Sequence, residues 1–278
     1  MKNILNEEEE LGLKRIAKKL RINVLKMTTM AGSGHPGGSL SSADIVTFLF
    51  FKKMRIDPSN PKWNERDRFI LSKGHSAPIL YAALAEIGFF PVDWLWNLRR
   101  FQYPLQGHPD MNTTPGVEIS TGSLGQGLSV ANGLALALKL QNINSKIYVL
   151  LGDGESQEGQ VWEAAMTSSH KKLDNICAIV DYNGLQIDGW IKDIKSLEPL
   201  KDKWQAFGWH VFEIDGHNFF DISNALNEAD LIKGKPSVII AHTIKGKGVS
   251  FMENKARYHG IALTPKELEL ALKELDEN

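Results

Sequence analysis

The sequence predicts an α/β protein with a doubly wound, mostly parallel sheet and helices on both faces. Two observations lead to this fold class: five short runs are apolar throughout, and segments with helical periodicity separate them. Such strands are typical of a parallel sheet that helices cover on both sides, and right-handed crossovers complete the doubly wound arrangement. The predicted strands are residues 68–71, 147–151, 176–181, 211–214 and 238–241.

Helices are predicted before the first strand and between the others. Residues 7–31 carry apolar side chains at helical spacing, and a second helix is expected over 41–53, before Asp57-Pro58 breaks it. We expect residues 1–278 to form a single domain, with a helical segment of about residues 1–60 packed on it. The other helical patterns cover residues 77–87, 124–141, 158–170, 197–207 and 218–230.

The final segment has the composition of a capped helix. Thr264 suits the N-cap, Pro265 the first helical position, and Glu267 the position from which a side chain returns a hydrogen bond to the cap. We therefore expect a finished helix here, which favours a natural subunit over a truncated one.

The composition excludes several classes of function. Lysine and arginine total 32 and aspartate and glutamate 33, so the net charge of −1 indicates neither a nucleic acid nor a membrane surface as partner. Cys177 lies in an apolar run and is expected to be a buried thiol. Because it is the only cysteine in the sequence, an internal disulfide and a cysteine-rich zinc site are excluded. No apolar stretch approaches the roughly 20 residues of a membrane helix, and the start is too charged for a signal peptide. We expect a cytoplasmic protein.

Polar motifs follow two of the predicted strands, where ligands bind to parallel sheets. Gly152-Asp153-Gly154 follows the second strand, and Asn183-Gly184 follows the third. Glycines let the backbone approach a ligand, N–H groups at a helix start favour phosphate, and carboxylate and amide oxygens suit Mg²⁺. Either motif alone is also a common turn. Together, at neighbouring strand ends with a helix between them, they favour a site for a metal ion and a diphosphate.

This pair of motifs resembles the signature of thiamine-diphosphate enzymes, and the segments GDGESQEGQVWEA and DYNGLQIDG resemble the transketolase family. The resemblance covers roughly residues 10–262, and it implies thiamine diphosphate as cofactor with Mg²⁺, or Ca²⁺ or Mn²⁺ in its place. Tyr182 departs from the acidic residue or asparagine usual in the family. The implied metal ligands are Asp153, Asn183 and the backbone carbonyl of Leu185, and the residues implied beside the diphosphate are Gly152, Gly154 and Glu155.

Four of the eight histidines, His35, His75, His108 and His259, lie next to glycine or in glycine-bounded turns. A loop histidine is usually an ordinary polar residue, but glycine neighbours expose the ring, and imidazole can donate, accept or exchange a proton. All four segments match transketolase motifs. The resemblance implies that His75 and His259 approach the diphosphate, while His35, His108 and again His259 are catalytic residues that reach the substrate hydroxyls.

Residues 120–127 resemble the family's loop that touches the cofactor, which implies contacts from Gly122, Ser123 and Leu124. Many relatives have proline at the position of Ser123. Lys245 matches a lysine near the cofactor in the shorter transketolases, although a solvated lysine in a glycine loop is the alternative.

Two acidic residues after the GDG motif, Glu158 and Glu163, match acids that link the two halves of the family's active sites across a dimer interface. Their alternative role is only to stabilise the start of a helix by their charge. The sequence leaves both roles open.

The resemblance covers only the first half of a typical transketolase. In the family, a second α/β domain binds the pyrimidine ring, supplies an activating glutamate and provides arginines for the sugar phosphate. No corresponding segment occurs here, so we expect an N-terminal subunit that is inactive until a separate C-terminal subunit completes an α₂β₂ enzyme. We expect the surface that meets this partner to expose Leu124, Leu185 and the region of Trp162.

The implied activity is transfer of a two-carbon ketol group from a ketose phosphate to an aldose phosphate, as in the pentose phosphate pathway. Rival interpretations are a dihydroxyacetone synthase, a deoxyxylulose-phosphate synthase and a non-catalytic cofactor-binding subunit. The contexts of His35 and His108 favour transketolase over the second synthase, and the full set of substrate-side histidines disfavours a non-catalytic role. No strand is followed by GxGxxG, which disfavours a nucleotide-binding dehydrogenase.

Overall fold

The structure is a computed structural model that describes residues 5–277. Within these residues, five strands form one parallel sheet. The predicted fold class is confirmed, and every predicted strand is present, extended by no more than one residue at either end. The strands are β1 (Arg68–Leu71), β2 (Ile147–Gly152), β3 (Ile176–Tyr182), β4 (His210–Asp215) and β5 (Ser237–His242). Their order across the sheet is β1-β2-β3-β5-β4.

Helices lie before, between and after the strands. They are α1 (Glu7–Ala31), α2 (Pro36–Ser41), α3 (Ala43–Phe48), α4 (Ala77–Ile87), α5 (Gln126–Leu140), α6 (Gly159–His170), α7 (Ile191–Ile194), α8 (Leu200–Ala206), α9 (Phe219–Ala229) and α10 (Pro265–Glu277). No helix in the described part of the chain is long and apolar enough to cross a membrane.

Alternating side chains give the sheet two packed faces. In β2, Tyr148 and Leu150 point into one apolar core, and Val149 and Leu151 point into the other. Helices α1, α3, α4, α9 and α10 cover the first core, and α5, α6 and α8 cover the second. Both faces are buried, which explains why the strands are apolar throughout. Cys177 is a free, buried thiol, as predicted, and burial raises its pKa to about 12.

The two terminal helices of the described chain begin with reciprocal caps. At α1, the side chain of Asn6 accepts a hydrogen bond from the N–H of Glu9, and the Glu9 carboxylate accepts one from the N–H of Asn6. At α10, Thr264 and Glu267 make the same exchange, which confirms the capped helix predicted there. These caps satisfy N–H groups that a helix start leaves without partners.

The prediction of one helix over residues 41–53 is wrong. The chain becomes helical earlier, because Pro36 occupies the first position of α2, and the helix is interrupted at Ser42. The hydroxyl of Ser42 donates to the carbonyl oxygen of Gly38 at 2.9 Å, a local pairing that competes with a regular helix. The last turn, Leu49–Lys53, is π-helical. The other predicted helices differ from the observed bounds by three residues or fewer.

Candidate active site

A cavity of about 350 Å³ opens beyond the carboxyl ends of β2 and β3, where ligands bind to parallel sheets. It brings together every predicted site residue except His108 and Ser123. Those lining it are His35, His75, Gly122, Leu124, Gly152, Asp153, Gly154, Glu155, Asn183, Leu185, Lys245 and His259. Five further residues line it that the sequence analysis did not select: Gly38, Lys73, Gln186, Ile187 and Asp188.

Asp153 is the first residue after β2, and it is 3% exposed. Its Oδ1 accepts a hydrogen bond from the N–H of Gly154 at 2.7 Å, and its Oδ2 accepts one from the N–H of Gly184 at 2.6 Å. One carboxylate therefore joins the loops that follow β2 and β3. Burial, together with the negative charge of Asp181, raises the pKa of Asp153 to about 6.

Asn183 lies in the loop after β3 and is also buried. Its amide nitrogen donates to Oδ2 of Asp181 at 3.1 Å, and its amide oxygen accepts from the N–H of Leu185 at 3.2 Å. These two contacts define which end of the amide is oxygen. The carbonyl oxygen of Leu185 accepts a hydrogen bond from Nζ of Lys245 at 2.6 Å.

Asp181, at the end of β3, is fully buried and connects the loops around the cavity. Its Oδ2 accepts hydrogen bonds from Ser41 Oγ and from Lys73 Nζ, each at 2.6 Å, and its Oδ1 accepts one from Thr243 Oγ1. Burial alone would raise the pKa of Asp181, but the Lys73 ammonium and the other donors hold it below its ordinary value. Asp181 is therefore a paired anion, and because donors from the protein already occupy both of its carboxylate oxygens, we do not assign it as a metal ligand.

Glu155 lines the cavity, but its carboxylate is engaged by the protein. Its Oε1 accepts from Ser72 Oγ at 2.5 Å and from the N–H of Gly125 at 2.9 Å, and its Oε2 accepts from the N–H of Gly152 at 2.9 Å. The side chain thus fixes the loops that carry Gly152 and Leu124. Burial raises the pKa of Glu155, and the Ser72 contact opposes that increase.

The oxygen donors at this cavity fit a hard cation. Among residues 5–277, no cluster of three or more His, Cys, Asp or Glu side chains could hold a metal ion. The oxygens of Asp153, Asn183 and Leu185 nevertheless offer one carboxylate, one amide and one carbonyl, the kinds of ligand that Mg²⁺ takes together with phosphate oxygens and water. A cation would also favour the charged form of Asp153, whose burial otherwise opposes ionisation.

Four histidines from distant parts of the chain meet at one side of the cavity. The ring centroid of His35 lies 5.3 Å from that of His75, 5.6 Å from that of His259 and 6.4 Å from that of His108. His75 and His259 stack, with centroids 5.1 Å apart. Gly122, at φ +143°, packs against the His108 ring, where an added Cβ would lie 3.0 Å away. His108 therefore borders the site without lining the cavity itself.

These imidazoles are neutral near pH 7. Burial, followed by the charge of Arg99, lowers the pKa of His35 to about 4, and burial and Lys245 lower that of His259 to about 3. Burial also lowers the pKa of His75, and partial burial together with the charge of Arg99 lowers the pKa of His108, whose side chain is exposed at the edge of the site. A neutral ring keeps one nitrogen as donor and one as acceptor, so the cluster can exchange protons with hydroxyl groups.

Lys245 extends from the loop after β5 into the cavity and is 2% exposed. Its Nζ lies 2.6 Å from the carbonyl oxygen of Leu185 and 3.1 Å from Nδ1 of His259. Burial, aided by the charge of Lys73, lowers the pKa of Lys245 to about 8, although the charge of Asp153 opposes this decrease. The solvated alternative is wrong, because the side chain lies inside the site.

The sequence analysis missed Lys73 and Arg99. Lys73 precedes Gly74-His75, so its place in that motif could have drawn attention to it. Arg99 donates from Nη1 to Ser33 Oγ at 3.1 Å, and its Nε is buried without a hydrogen-bond partner among the described residues. Its charge contributes to the low pKa values of His35 and His108. Nothing in the local sequence distinguishes Arg99 from Arg100.

The expected partner-facing residues agree only in part with the structure. Leu185 is 3% exposed, because its side chain is buried where the chain turns back after β3, so its predicted exposure is wrong. Leu124 is half-buried, and Trp162 packs on Trp204 and Phe207. Glu158 and Glu163 are exposed beside α6, as are Met166 and, at the cavity, Ile187. Ser123 is exposed on the loop between Gly122 and Leu124.

Comparison with known proteins assigns the chain to a family. The family model described as "Transketolase, thiamine diphosphate binding domain" matches residues 13–277. The 6-deoxy-6-sulfo-D-fructose transketolase subunit SqwG of Clostridium sp. is 49% identical over 97% of this chain and 98% of its own length. One of the apulose-4-phosphate transketolase subunits of Phocaeicola vulgatus is 43% identical over 94% of this chain and 92% of its own length.

Full-length transketolases match over less of their length. Human transketolase is 41% identical over 97% of this chain, which covers 43% of that protein. The crystal structure of transketolase from Campylobacter jejuni superposes with a TM-score of 0.91 at 36% identity, over 98% of this chain and 43% of that one. The fold and the site thus define a thiamine-diphosphate-binding domain, and the chain belongs to the transketolase family. It corresponds to the N-terminal subunit of a split transketolase.

Proposed function

We propose that this chain, joined by a C-terminal subunit, transfers a two-carbon ketol group from an anionic ketose to an aldose acceptor. The observation that carries the proposal is the cavity itself, where oxygen donors suited to Mg²⁺ and a diphosphate lie beside four neutral histidines. Thiamine diphosphate, when bound, supplies the chemistry that breaks and forms the carbon–carbon bond. The protein supplies position, charge and proton transfer.

The Mg²⁺ and diphosphate side of the site is assigned to the ends of β2 and β3. Asp153, Asn183 and the carbonyl of Leu185 would hold the metal, and Ca²⁺ or Mn²⁺ could replace Mg²⁺ because the donors are oxygens. The N–H groups at the GDG turn and the ammonium of Lys245 would face the diphosphate. Lys245 already lies against the Leu185 carbonyl, so it would balance negative charge close to the metal.

The four histidines are divided between the sugar and the diphosphate. His35 is central to the cluster, with His75, His108 and His259 around it. Because His75 and His259 stack near Lys73 and Lys245, they would approach the diphosphate. His35, His108 and the second nitrogen of His259 would donate to, or accept from, the substrate hydroxyls and carbonyl oxygen, and Arg99 beside them favours an anionic substrate.

The substrate class follows from the relatives by analogy. One is named for a sulfonated ketose and another for a ketose phosphate, so the shared feature is a ketose with a strongly anionic group. A phosphorylated donor of the pentose phosphate pathway belongs to the same class. We propose that the residues that bind the anionic group of the sugar lie mainly on the C-terminal subunit.

The assembly is proposed as α₂β₂. Subunit names among the relatives imply a second polypeptide. Glu158 and Glu163, exposed at α6, are placed by analogy at the contact between the two active sites. We place the enzyme in the cytoplasm, because the single buried thiol suits a reducing compartment.

The test is a donor panel on the reconstituted pair of subunits. The donors are 6-deoxy-6-sulfofructose, apulose 4-phosphate and fructose 6-phosphate, each with an aldose phosphate acceptor, and the readout is the carbonyl compound that remains when the donor has lost two carbons. Turnover with at least one donor, dependent on thiamine diphosphate, is expected. Cofactor binding without ketol transfer from any of the donors and acceptors would contradict the proposed activity.

A further inference from the structure

A second cavity, of about 390 Å³, lies between α1, the end of α10 and the loops after β4 and β5. None of the residues that line it also lines the cofactor cavity. We propose that this second cavity binds a small metabolite through a tetrahedral oxyanion group, either a phosphate ester or a sulfonate. Its volume falls within the range of about 300–1,000 Å³ typical of small-molecule sites.

The charge of the cavity supports an anionic ligand. Five cationic side chains line it, although the whole chain carries a net charge of −1. Its only acidic lining residue, Asp44, is fully engaged, because Arg21 donates to both carboxylate oxygens at 2.9 and 2.6 Å and His217 Nδ1 lies 2.7 Å from Oδ2. The five cations are Lys14, Arg15, Lys18, Arg21 and Lys247.

The exposed cations are not all held by acidic neighbours. Lys14 pairs with Glu10 at 2.8 Å, and Lys247 lies 3.7 Å from Glu253. The Nζ of Lys18, in contrast, reaches only a backbone oxygen, at 3.3 Å, and Arg15 has no polar partner in the described part of the chain. Arg15 therefore has a free guanidinium, whose donors match the oxygens of a phosphate or sulfonate.

The folding of α1 places these side chains together. Residues 11, 14, 15, 18 and 21 follow helical spacing and lie on one stripe of the helix, while Leu13, Ala17 and Leu20 are buried in the core on another side. Lys247 approaches the stripe from the loop after β5. Cationic groups from two separate elements thus line one concavity.

The wall of the cavity contains a polar group without a partner. Arg21 is 7% exposed, and its Nε has no hydrogen-bond partner among residues 5–277. Gly248, at φ +96°, packs beside it, and an added Cβ there would lie 3.4 Å from Cδ of Arg21 and 3.1 Å from Cδ2 of Leu275. Buried donors of this kind usually find a partner in water or ligand, and an anion or its water shell would provide one.

The experiment is calorimetric titration of the full chain without thiamine diphosphate, because that phosphate ester would itself compete for the second cavity. Three probes are compared at low salt: inorganic phosphate, glycerol 3-phosphate and isethionate. We expect saturable binding of at least one probe, and the preferred probe identifies the group as free phosphate, phosphate ester or sulfonate. Failure of all three to bind would overturn the proposal.

Paired variants locate the binding. Arg15→Gln/Lys18→Gln should weaken binding about tenfold or more, because it removes two charge-assisted contacts from the cavity. Lys171→Gln/Lys172→Gln removes the same charge from a distant exposed turn and should leave affinity within about twofold of the parent. Equal affinity in all three proteins, or equal losses in both variants, would place the anion elsewhere and overturn the assignment. Melting curves check that the variants fold.

Discussion

The carboxylate of Asp181 accepts a hydrogen bond from the side-chain amide of Asn183 at 3.1 Å, and both residues are buried at the end of β3. This contact fixes the nitrogen of the amide toward Asp181 and leaves its oxygen on the other side. Asp181 is itself held by Lys73, Ser41 and Thr243. A buried ion pair therefore determines which atom of Asn183 a cation at this site would meet.

The first prediction tests that relationship. Asp181→Asn should weaken Mg²⁺-dependent binding of thiamine diphosphate by about 10–100-fold, the usual cost of losing a partner that orients a metal ligand. The reason is that an amide in place of this carboxylate can donate as well as accept, so it would no longer specify the orientation of Asn183. Titration calorimetry at several Mg²⁺ concentrations measures the effect. Asp193→Asn removes the same charge from an exposed residue and serves as control. Equal affinity in both variants would show that Asp181 does not orient the ligand.

The second prediction concerns the proposed metal ligand itself. Asp153→Ala removes the only charged ligand among the three, so cofactor binding should become weak and independent of Mg²⁺. Asp188→Ala, at the exposed rim of the same cavity, removes an equal charge and should retain Mg²⁺-dependent binding. Calorimetry on the reconstituted complex distinguishes them. Unchanged Mg²⁺-dependent binding in Asp153→Ala would refute the assignment.

Much of the fold and most of the candidate site can be predicted from the sequence, for local reasons. The strands are apolar throughout because both faces of the sheet are buried, and the GDG and NG turns at two strand ends mark the cavity. The prediction of a helix over 41–53 is wrong, because the helix is interrupted at Ser42, whose hydroxyl donates to the carbonyl oxygen of Gly38. The predicted exposure of Leu185 is also wrong, since burial of that side chain depends on the turn after β3.

Residues that act through the tertiary structure leave little signal in the sequence. Lys73 and Asp181 are 108 positions apart, and only the sheet brings their charged groups to 2.6 Å. Arg99 reaches His35 and His108 through loop geometry that no local pattern indicates. The second cavity also depends on the tertiary structure. The spacing of its cationic residues on α1 can be read from the sequence, but the approach of Lys247 cannot.

The third prediction separates the roles of two histidines. His108→Ala should retain the cofactor yet slow turnover of the reconstituted enzyme by about 10²–10⁴-fold, the usual cost of one positioned proton-transfer group. His75→Ala should instead weaken cofactor binding, since His75 lies deeper, beside Lys73. Steady-state kinetics and cofactor titration are measured on both variants. If His108→Ala lost the cofactor and kept normal substrate kinetics, the assignment of His108 to the substrate would be wrong.

The fourth prediction concerns pH. The pKa of His35 is about 4 in the folded chain, below its ordinary value of 6.5, so the unfolded chain binds the proton first as pH falls. This histidine therefore lowers stability as pH decreases from 6.5 toward 4, and His259 acts in the same direction. Asp153 acts in the opposite direction, because its pKa is raised from 3.8 to about 6 in the folded chain. Its contribution to the free energy of unfolding therefore decreases as pH rises from 3.8 to 6 and increases as pH falls through that range.

Urea unfolding of the cofactor-free chain between pH 7 and pH 4.5 measures this dependence. The decline in unfolding free energy toward acid should be shallower in His35→Asn than in the parent. The exposed His170→Asn provides the control and should follow the parent. Parallel curves for His35→Asn and the parent would mean that His35 is protonated as readily in the folded as in the unfolded chain.

The central claim is that this chain needs a second polypeptide. Its cavity holds donors for a metal, a diphosphate and sugar hydroxyls, while the chain covers only 43% of human transketolase. Exposed apolar side chains such as Ile187 at the cavity and Met166 on α6 would be covered on assembly. A permanent complex commonly buries about 2,000 Å² or more, so the isolated chain should also self-associate or dissolve poorly.

The most direct measurement is a ketol-transfer assay at fixed concentration of this chain, with excess thiamine diphosphate and Mg²⁺, as the C-terminal subunit is titrated in. We predict no turnover without that subunit, then a linear rise that saturates near one partner per chain. Full turnover by the isolated chain, unaffected by the added subunit, would contradict the account.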